Sequence, residues 1–413
     1  MTSAGPPPPL RLSPFRATTY APGTDLAAVV CPPYDVIGDR ALAEFEAHDP
    51  HNIVHLTLPR ALPGDGDRYA RAAQTLREWR EAGVLRRDPA PALYVYEHVT
   101  SGGAAIGLVG GIGLDGPVLP HENTFPGPVA DRAALMNATR MQLEPILLTY
   151  DGGGAASEVV DHTAGTVPHL EFTVAGETHR LWRVDHPPEL DAVAADLAGR
   201  TALIADGHHR FAAYRAVHAA DPAPAGTDHG LALLVDAARH PLELRGIHRS
   251  VAGLSLDDAA AAAAKAFDVV ALAADDDPTA ALEAERGTAF VIGDGRRQAL
   301  LRAPRASVVA DALPAERPDG WGTLDAAVLV DVLLAYLWDV DDADLRVTYH
   351  HDGRDALRAA ARDAGLAVLV RPPALADVLA LASRGERMPR KSTSFGPKPW
   401  TGLLMRDLAP DQH

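Results

Sequence analysis

The stretch "LIADGHHRFAAY", residues 203–214, passes from an apolar run to a helical pattern through one aspartate and one glycine. Thr201 to Ala205 reads as a buried strand, and Phe211, Tyr214 and Val217 fall on neighbouring positions of a helix. A strand running straight into a helix puts Asp206 and Gly207 in the turn. The backbone N–H groups of residues 207–210 then point outward from a helix N-terminus, a ready anion site. His208, His209 and Arg210 add further donors, Arg210 as a bidentate fork. Asp206 is expected to orient an imidazole, hold a metal-bound water or accept a substrate proton. The structural alternative is a capping aspartate with one histidine packed inside.

Outward from this turn the pattern is mixed α/β. "AAVVC" (27–31) and "NIVHLTL" (52–58) read as strands, and "DRALAEFEAHDP" (39–50) and "YARAAQTLREWREAGVL" (69–85) as helices. "ALYVYEHV" and "AIGLVGGIGL" follow as strands, then a polar loop and a helix from near Asp131. "HLEFTVAGETHRLWRV" is a hairpin turning at Ala175 and Gly176. Ser255 reads as an N-cap with Asp258 three residues on, so a new unit is expected to begin there. "GTLDAAVLVDVLLAYLW" is a long helix, and the tail after Glu386 has loop-like composition. The expected division is an extended, disordered leader over 1–12, a phosphate-binding domain with an inserted subdomain over 13–252, and a C-terminal α/β domain over 253–413 whose basic tail closes the site.

The 413 residues exceed one ordinary core. A formal charge of −17 opposes nucleic-acid binding, so none is expected. No apolar stretch is long enough for a membrane span, and the start lacks the basic flank and apolar centre of a signal peptide, so a cytoplasmic protein without membrane contact is expected. Cys31, the single cysteine, excludes an internal disulfide framework and reads as a small buried thiol rather than a nucleophile. Monomer and homodimer both stay open.

Other polar clusters surround the turn's chemistry. "HENTFPGPVADR" (121–132) carries His121, Glu122, Asp131 and Arg132; Glu122 suits a general base for a hydroxyl nucleophile, or else a surface ion pair, while His121 is a candidate for binding substrate and Arg132 for binding the donor's phosphate. "RGERMPRKSTSFGPK" (384–398) is locally basic, and Lys391, Ser392 and Thr393 suit phosphate oxygens, although the glycines of a P-loop are missing. Arg16, Tyr34, Asp35, His248 and Arg249 are substrate-binding candidates, with Tyr34 equally a core aromatic and Arg249 equally an internal salt bridge. "YHHD" (349–352) has the composition of a metal site but reads as a strand end and helix cap. Adjacent His208 and His209 point apart, and neither HExxH nor CxxC accompanies them, which disfavours zinc at the turn; magnesium, a carboxylate and phosphate ligand, stays open with Asp206 as its protein ligand.

"LIADGHHRFAAYRA", "HENTFPGPVADR", "CPPYDVIG", "GIHRSV" and "MPRKSTSFGPKPWTGL", in five separate places, resemble the bacterial and archaeal family of domain of unknown function 1015. The resemblance spans roughly Ser13 to Leu403. The DGHHR box is similar to that of ParB-like and sulfiredoxin-like proteins, a group that includes free-serine kinases, and implies a ParB/sulfiredoxin-like core with insertions. Asp206, His208, His209 and Arg210 match its phosphate-binding and catalytic box by position, with Gly207 in the turn. Sulfiredoxin chemistry would need a cysteine in the box, and ParB partitioning a helix-turn-helix and a basic face; neither is found. What the resemblance implies is a phosphotransferase acting on L-serine or a similar small hydroxylated amino acid. ATP, ADP or pyrophosphate would be the donor, with Mg²⁺. Glu122 or Asp206 would take the hydroxyl proton, and His208, His209, Arg210 and Lys391 would stabilise the transferred group. A nucleotide-binding switch without turnover and a phosphoester hydrolase are the alternatives.

Overall fold

A computed structural model describes residues 8–61, 67–313, 316–317 and 320–408. It is mixed α/β and resolves into two compact units. The first takes the described residues of Met1–Pro120, Thr124–Glu243 and Phe395–His413; the second takes His121–Asn123 and Leu244–Ser394.

The first unit is built on a nine-stranded mixed sheet. From one edge the strands are Val118–Leu119, Ala202–Asp206, Ile146–Tyr150, His229–Asp236, Gly103–Gly113, Leu93–Thr100, Glu177–Val184 and Leu170–Val174, with Leu12–Ser13 beside Gly103–Gly113. Ile146–Tyr150 and His229–Asp236 run parallel and are buried except at His229, as parallel neighbours covered on both faces should be. Helices Pro126–Thr139 and His208–His218 pack against each other, and Leu148, Ile204, Phe211 and Leu234 share one core. A smaller antiparallel sheet joins Leu85–Arg87, Ala17–Tyr20, Met405–Asp407 and Met141–Gln142. The C-terminal strand therefore returns to the first unit rather than ending the second. Of the expected leader, residues 1–7 lie outside the described residues; Leu10 is already buried and Leu12 already paired, so order begins earlier than the prolines suggest.

Three local expectations are corrected. "AAVVC" forms the one-turn helix Leu26–Val29, capped by Asp25, which accepts the Ala27 N–H at 3.2 Å. "NIVHLTL" forms the helix Val54–Thr57 instead of a strand. Asn52 Oδ1 accepts the Val54 N–H at 3.0 Å while its amide donates to the Ala28 and Val30 carbonyls, so a buried Asn turn overrides the alternating pattern. The helix expected near Asp131 starts at Pro126, because prolines lose nothing in a first turn whose N–H groups have no helical partner. The hairpin is as expected, with Ala175 and Gly176 both at positive φ.

The second unit carries a six-stranded antiparallel sheet, ordered Asp268–Ala271, Gln298–Arg302, Phe290–Gly293, Leu366–Leu369, His248–Val251 and Val347–His350. Ser255 caps Leu256–Ala263 and Asp352 caps Gly353–Arg362, both as read from sequence. The long apolar helix winds as a π-helix over Val328–Leu337, which its residue pattern does not announce.

Candidate functional site

The turn at residue 206 forms as its sequence implies. Strand Ala202–Asp206 shifts register against Ile146–Tyr150 between Ile204 and Asp206, and such a bulge re-aims a strand's last side chain. Gly207 follows at φ +96°; a Cβ there would lie 2.7 Å from Ile146 Cγ2, so the turn demands glycine twice over. Helix His208–His218 begins with no side chain capping it.

Asp206 is gripped from both sides. Arg210 Nη2 donates to Oδ2 at 2.6 Å, and Lys398 Nζ lies 2.6 Å from Oδ1. The same ammonium donates to Asp35 Oδ2 at 2.9 Å. Arg210 is buried, 3% exposed, and also donates to the Pro145 carbonyl at 2.7 Å, with Glu144 Oε2 3.5 Å from Nη1. Its Nε is buried with no hydrogen-bond partner. Burial pulls the Arg210 guanidinium down, but Glu144, Asp206 and Asp35 outweigh it and hold the pKa above the arginine range. Lys398 behaves alike: burial is opposed and overcome by Asp206 and Asp35, so the ammonium keeps its proton.

Tyr34 and Arg132 complete the cluster. The Arg132 guanidinium lies 4.3 Å from the Tyr34 ring centroid and that of Arg210 5.9 Å. Burial, with help from Glu144, pushes the Tyr34 hydroxyl up to about 12 against the pull of Arg210 and Arg132. Arg132 is committed to Asp131 and to the Thr57 carbonyl at 2.7 Å, which leaves it a supporting cation rather than an open phosphate fork. His209 Nε2 accepts the Phe125 N–H at 3.1 Å and its ring stacks on Phe125, so this nitrogen holds the preceding loop. His208 is 8% exposed. Arg16, expected to bind substrate, donates through Nε to the Asp88 carbonyl at 2.8 Å, away from this cluster's partners. Cys31 is buried, and burial first and Glu144 second push its thiol well up, as befits an unreactive group.

Asp206 offers no unengaged oxygen. As placed, it leaves none for a protein-held magnesium ion, which takes water and phosphate oxygens beside its one or two carboxylates.

The remaining candidates lie in the second unit. Lys391 N–H donates to Glu122 Oε1 at 3.3 Å, and His121 Nε2 meets Thr393 Oγ1 at 2.8 Å, so the two separate motifs form one cluster. Lys391 sits at φ +53° and Ser392 donates to the Pro389 carbonyl. Arg249 takes its structural reading: 1% exposed, it pairs with Asp342 at 2.9 Å, donates to the Ile247 and Arg390 carbonyls and stacks on Tyr349. It is not available to a substrate. His248 Nδ1 accepts the Val370 N–H at 3.2 Å, and burial pulls its pKa down to about 4. Among the described residues no helix is long and apolar enough to cross a membrane.

A family model described as "Protein of unknown function (DUF1015)" matches residues 12–327. The chain belongs to the DUF1015 family. No curated protein matches it. Among solved structures, a free serine kinase variant in complex with ADP is similar at TM-score 0.38 and 16% identity, covering 70% of this chain and 87% of that one. SbnI with a C-terminal truncation, from Staphylococcus aureus, aligns at TM-score 0.38 and 11% identity over 74% of this chain and 90% of its own. A conserved hypothetical protein from Pyrococcus furiosus aligns at TM-score 0.34 and 16% identity over 70% and 90%.

Two residues of this DUF1015 chain's cluster were not anticipated from sequence. Lys398 sits in the basic tail, where Lys391 looked the stronger phosphate ligand, and Glu144 lies in the apolar run "LEPILL". The signal for Glu144 was a lone carboxylate before a proline at the head of an otherwise apolar run, a position that needs a cationic partner. Lys398 had none: it pairs with Asp35 across 363 positions.

Proposed function

We propose that this DUF1015 chain is a phosphotransferase of the free-serine-kinase type, moving a phosphoryl group from ATP, ADP or pyrophosphate to the hydroxyl of L-serine or a similar small amino acid. The observation that carries this reading is the Asp206 carboxylate, held between Lys398 and Arg210 at the uncapped N-terminus of helix His208–His218. That arrangement offers the parts phosphoryl transfer needs: outward N–H groups and fixed cations for the phosphate, and a positioned carboxylate for the acceptor proton. In the step, the acceptor oxygen bonds to the terminal phosphorus of the donor, the donor's bridging P–O bond breaks, and the hydroxyl proton passes to Asp206. The bridging oxygen leaves with the departing diphosphate, monophosphate or orthophosphate. Arg210 fixes the carboxylate through one oxygen, and Lys398 turns from the other toward the phosphate charge. His208 and His209 line the first helical turn; Glu122, with Lys391, Ser392 and Thr393, remains the alternative base with its own phosphate ligands.

Arg132, Arg210 and Lys398 are three cations among four carboxylates, Asp35, Asp131, Asp206 and Glu144, so the protein alone does not neutralise a polyphosphate. We therefore assign magnesium to the donor phosphates and not to Asp206. Phosphorus NMR with donor and Mg²⁺, with and without L-serine, tests the reading beside Asp206→Asn. A serine-dependent phosphomonoester that the variant fails to form is the expected result. Orthophosphate release from ATP or ADP without an acceptor favours a hydrolase. Donor binding by calorimetry without any turnover favours a nucleotide switch.

A further inference from the structure

On the sheet of the first unit, strands Leu93–Thr100 and Glu177–Val184 pair antiparallel with His98 directly opposite His179. Glu177 is two residues from His179 and so shares its face. The two imidazole rings stack at 4.3 Å between centroids, with the Phe172 ring 4.9 Å and the Trp400 ring 5.0 Å from His179. His98 and His179 are 3% and 1% exposed, while Glu177 is half-buried.

The hydrogen bonding here is that of ligands already held from behind. His98 Nδ1 faces the Lys398 carbonyl at 3.0 Å, which leaves Nε2 turned to Glu177 Oε2 at 2.6 Å. His179 Nδ1 meets the Tyr96 hydroxyl at 2.9 Å, and its Nε2 is buried without any hydrogen-bond partner. A buried ring nitrogen left so is costly and calls for an occupant. Donor atoms of His98, Glu177 and His179 all lie within 4.8 Å of one another, among the described residues the one such group of three.

We propose that His98, Glu177 and His179 bind a zinc ion, with water in the fourth position. Two imidazoles and one carboxylate form a borderline nitrogen and oxygen set that suits zinc and not magnesium or calcium, which take oxygen. A four-coordinate zinc with bonds of about 2.0–2.1 Å needs its ligand atoms roughly 3.4 Å apart. Reaching that spacing requires the half-buried Glu177 to draw back from His98 Nε2, 2.6 Å away, and the wider pairs, within 4.8 Å, to close. Its outer partners are in place: a backbone carbonyl behind one imidazole and a tyrosine hydroxyl behind the other. The ion would also tether the Lys398 main chain, whose side chain reaches Asp206 and Asp35, so zinc is a positioning element for that lysine. The inference does not rest on the phosphotransferase reading.

The test is equilibrium dialysis of the chelator-stripped full chain against zinc chloride, with metal counted by mass spectrometry, and cobalt(II) substitution followed in the visible. One zinc per chain and the strong visible bands of four-coordinate cobalt are expected. Glu177→Gln and His179→Gln should each weaken zinc binding by at least about 10–100-fold, the loss that outer partners alone can cause. Asp206→Asn should keep the ion. Substoichiometric zinc, or affinity unchanged in Glu177→Gln, overturns the proposal. Glu177 is half-exposed, so this variant decides the matter even where His179→Gln does not fold.

Discussion

Arg210 and Arg249 are both buried arginines, one in each unit, and both looked like anion forks in the sequence, yet their surroundings differ in kind. Arg249 is matched by one carboxylate, Asp342, and its remaining donors go to two main-chain carbonyls. Arg210 shares Asp206 with a second cation, faces a second carboxylate in Glu144 and keeps an unpartnered Nε. Taking an ion out of water costs several kcal/mol, so a one-to-one pair with every donor satisfied is what a structural arginine needs. A carboxylate divided between two cations at a helix N-terminus is more than structure requires. This concentration of charge, beside a helix N-terminus without a side-chain cap, is why we propose the turn at residue 206 as the site.

The largest contrast should come from the two aspartates. Asp206→Asn should lower serine-dependent phosphoryl transfer by about 10²–10⁴-fold, the usual worth of a general base, whereas Asp342→Asn should lower stability and leave kcat alone. Equal kcat losses in both would break the distinction. Arg249→Met should cost about 3–5 kcal/mol in urea unfolding, because it strands Asp342 in a buried site, with pyrophosphate affinity measured by calorimetry unchanged.

Gly207→Ala sharpens the turn. A left-handed Ala costs about 1–2 kcal/mol, and overlap with Ile146 adds about 1–3 kcal/mol, so unfolding should shift by about 2–5 kcal/mol. A neutral outcome would show that the backbone relaxes around residue 207.

On Arg249's side, His248 supplies a pH effect. Burial, His350, Arg249 and His351 hold its pKa down to about 4 against the pull of Asp352. Between about 6.5 and 4 the unfolded chain binds a proton that the folded chain refuses. Stability should therefore fall as pH drops through that window, by at most about 1.4 kcal/mol per unit. His248→Gln should flatten this slope in urea titrations at a series of pH values. The smallest effect is Asp352→Ala, which removes the cap on the Arg354 and Asp355 N–H groups and should cost about 1 kcal/mol.

Much of this was legible in the residues. The strand, glycine turn and helix at 202–218, the hairpin at Ala175 and Gly176, and the caps Ser255 and Asp352 rest on local rules of periodicity, positive φ and side-chain capping, and such rules act within a few residues. Asp206, Gly207 and Arg210 were found for the same reason. Where a distant partner outvoted the local pattern, the reading failed: Asn52, bonded to Ala28 and Val30, turned an alternating segment into a helix.

The order of the elements, the mixed α/β class and the polar turn are thus properties of the chain read locally. The pairing of Lys398 with Asp206 and Asp35, the seat of Glu144 beneath Arg210, the retirement of Arg249 into an ion pair and the meeting of His98 with His179 are not. Each joins residues brought together by sheet order and chain return, and a charge or an imidazole carries no mark in sequence of which distant group will neutralise it. Burial then sets the outcome, because in a water-poor interior an ion's nearest partners decide its energy, and those partners exist only once the chain has folded.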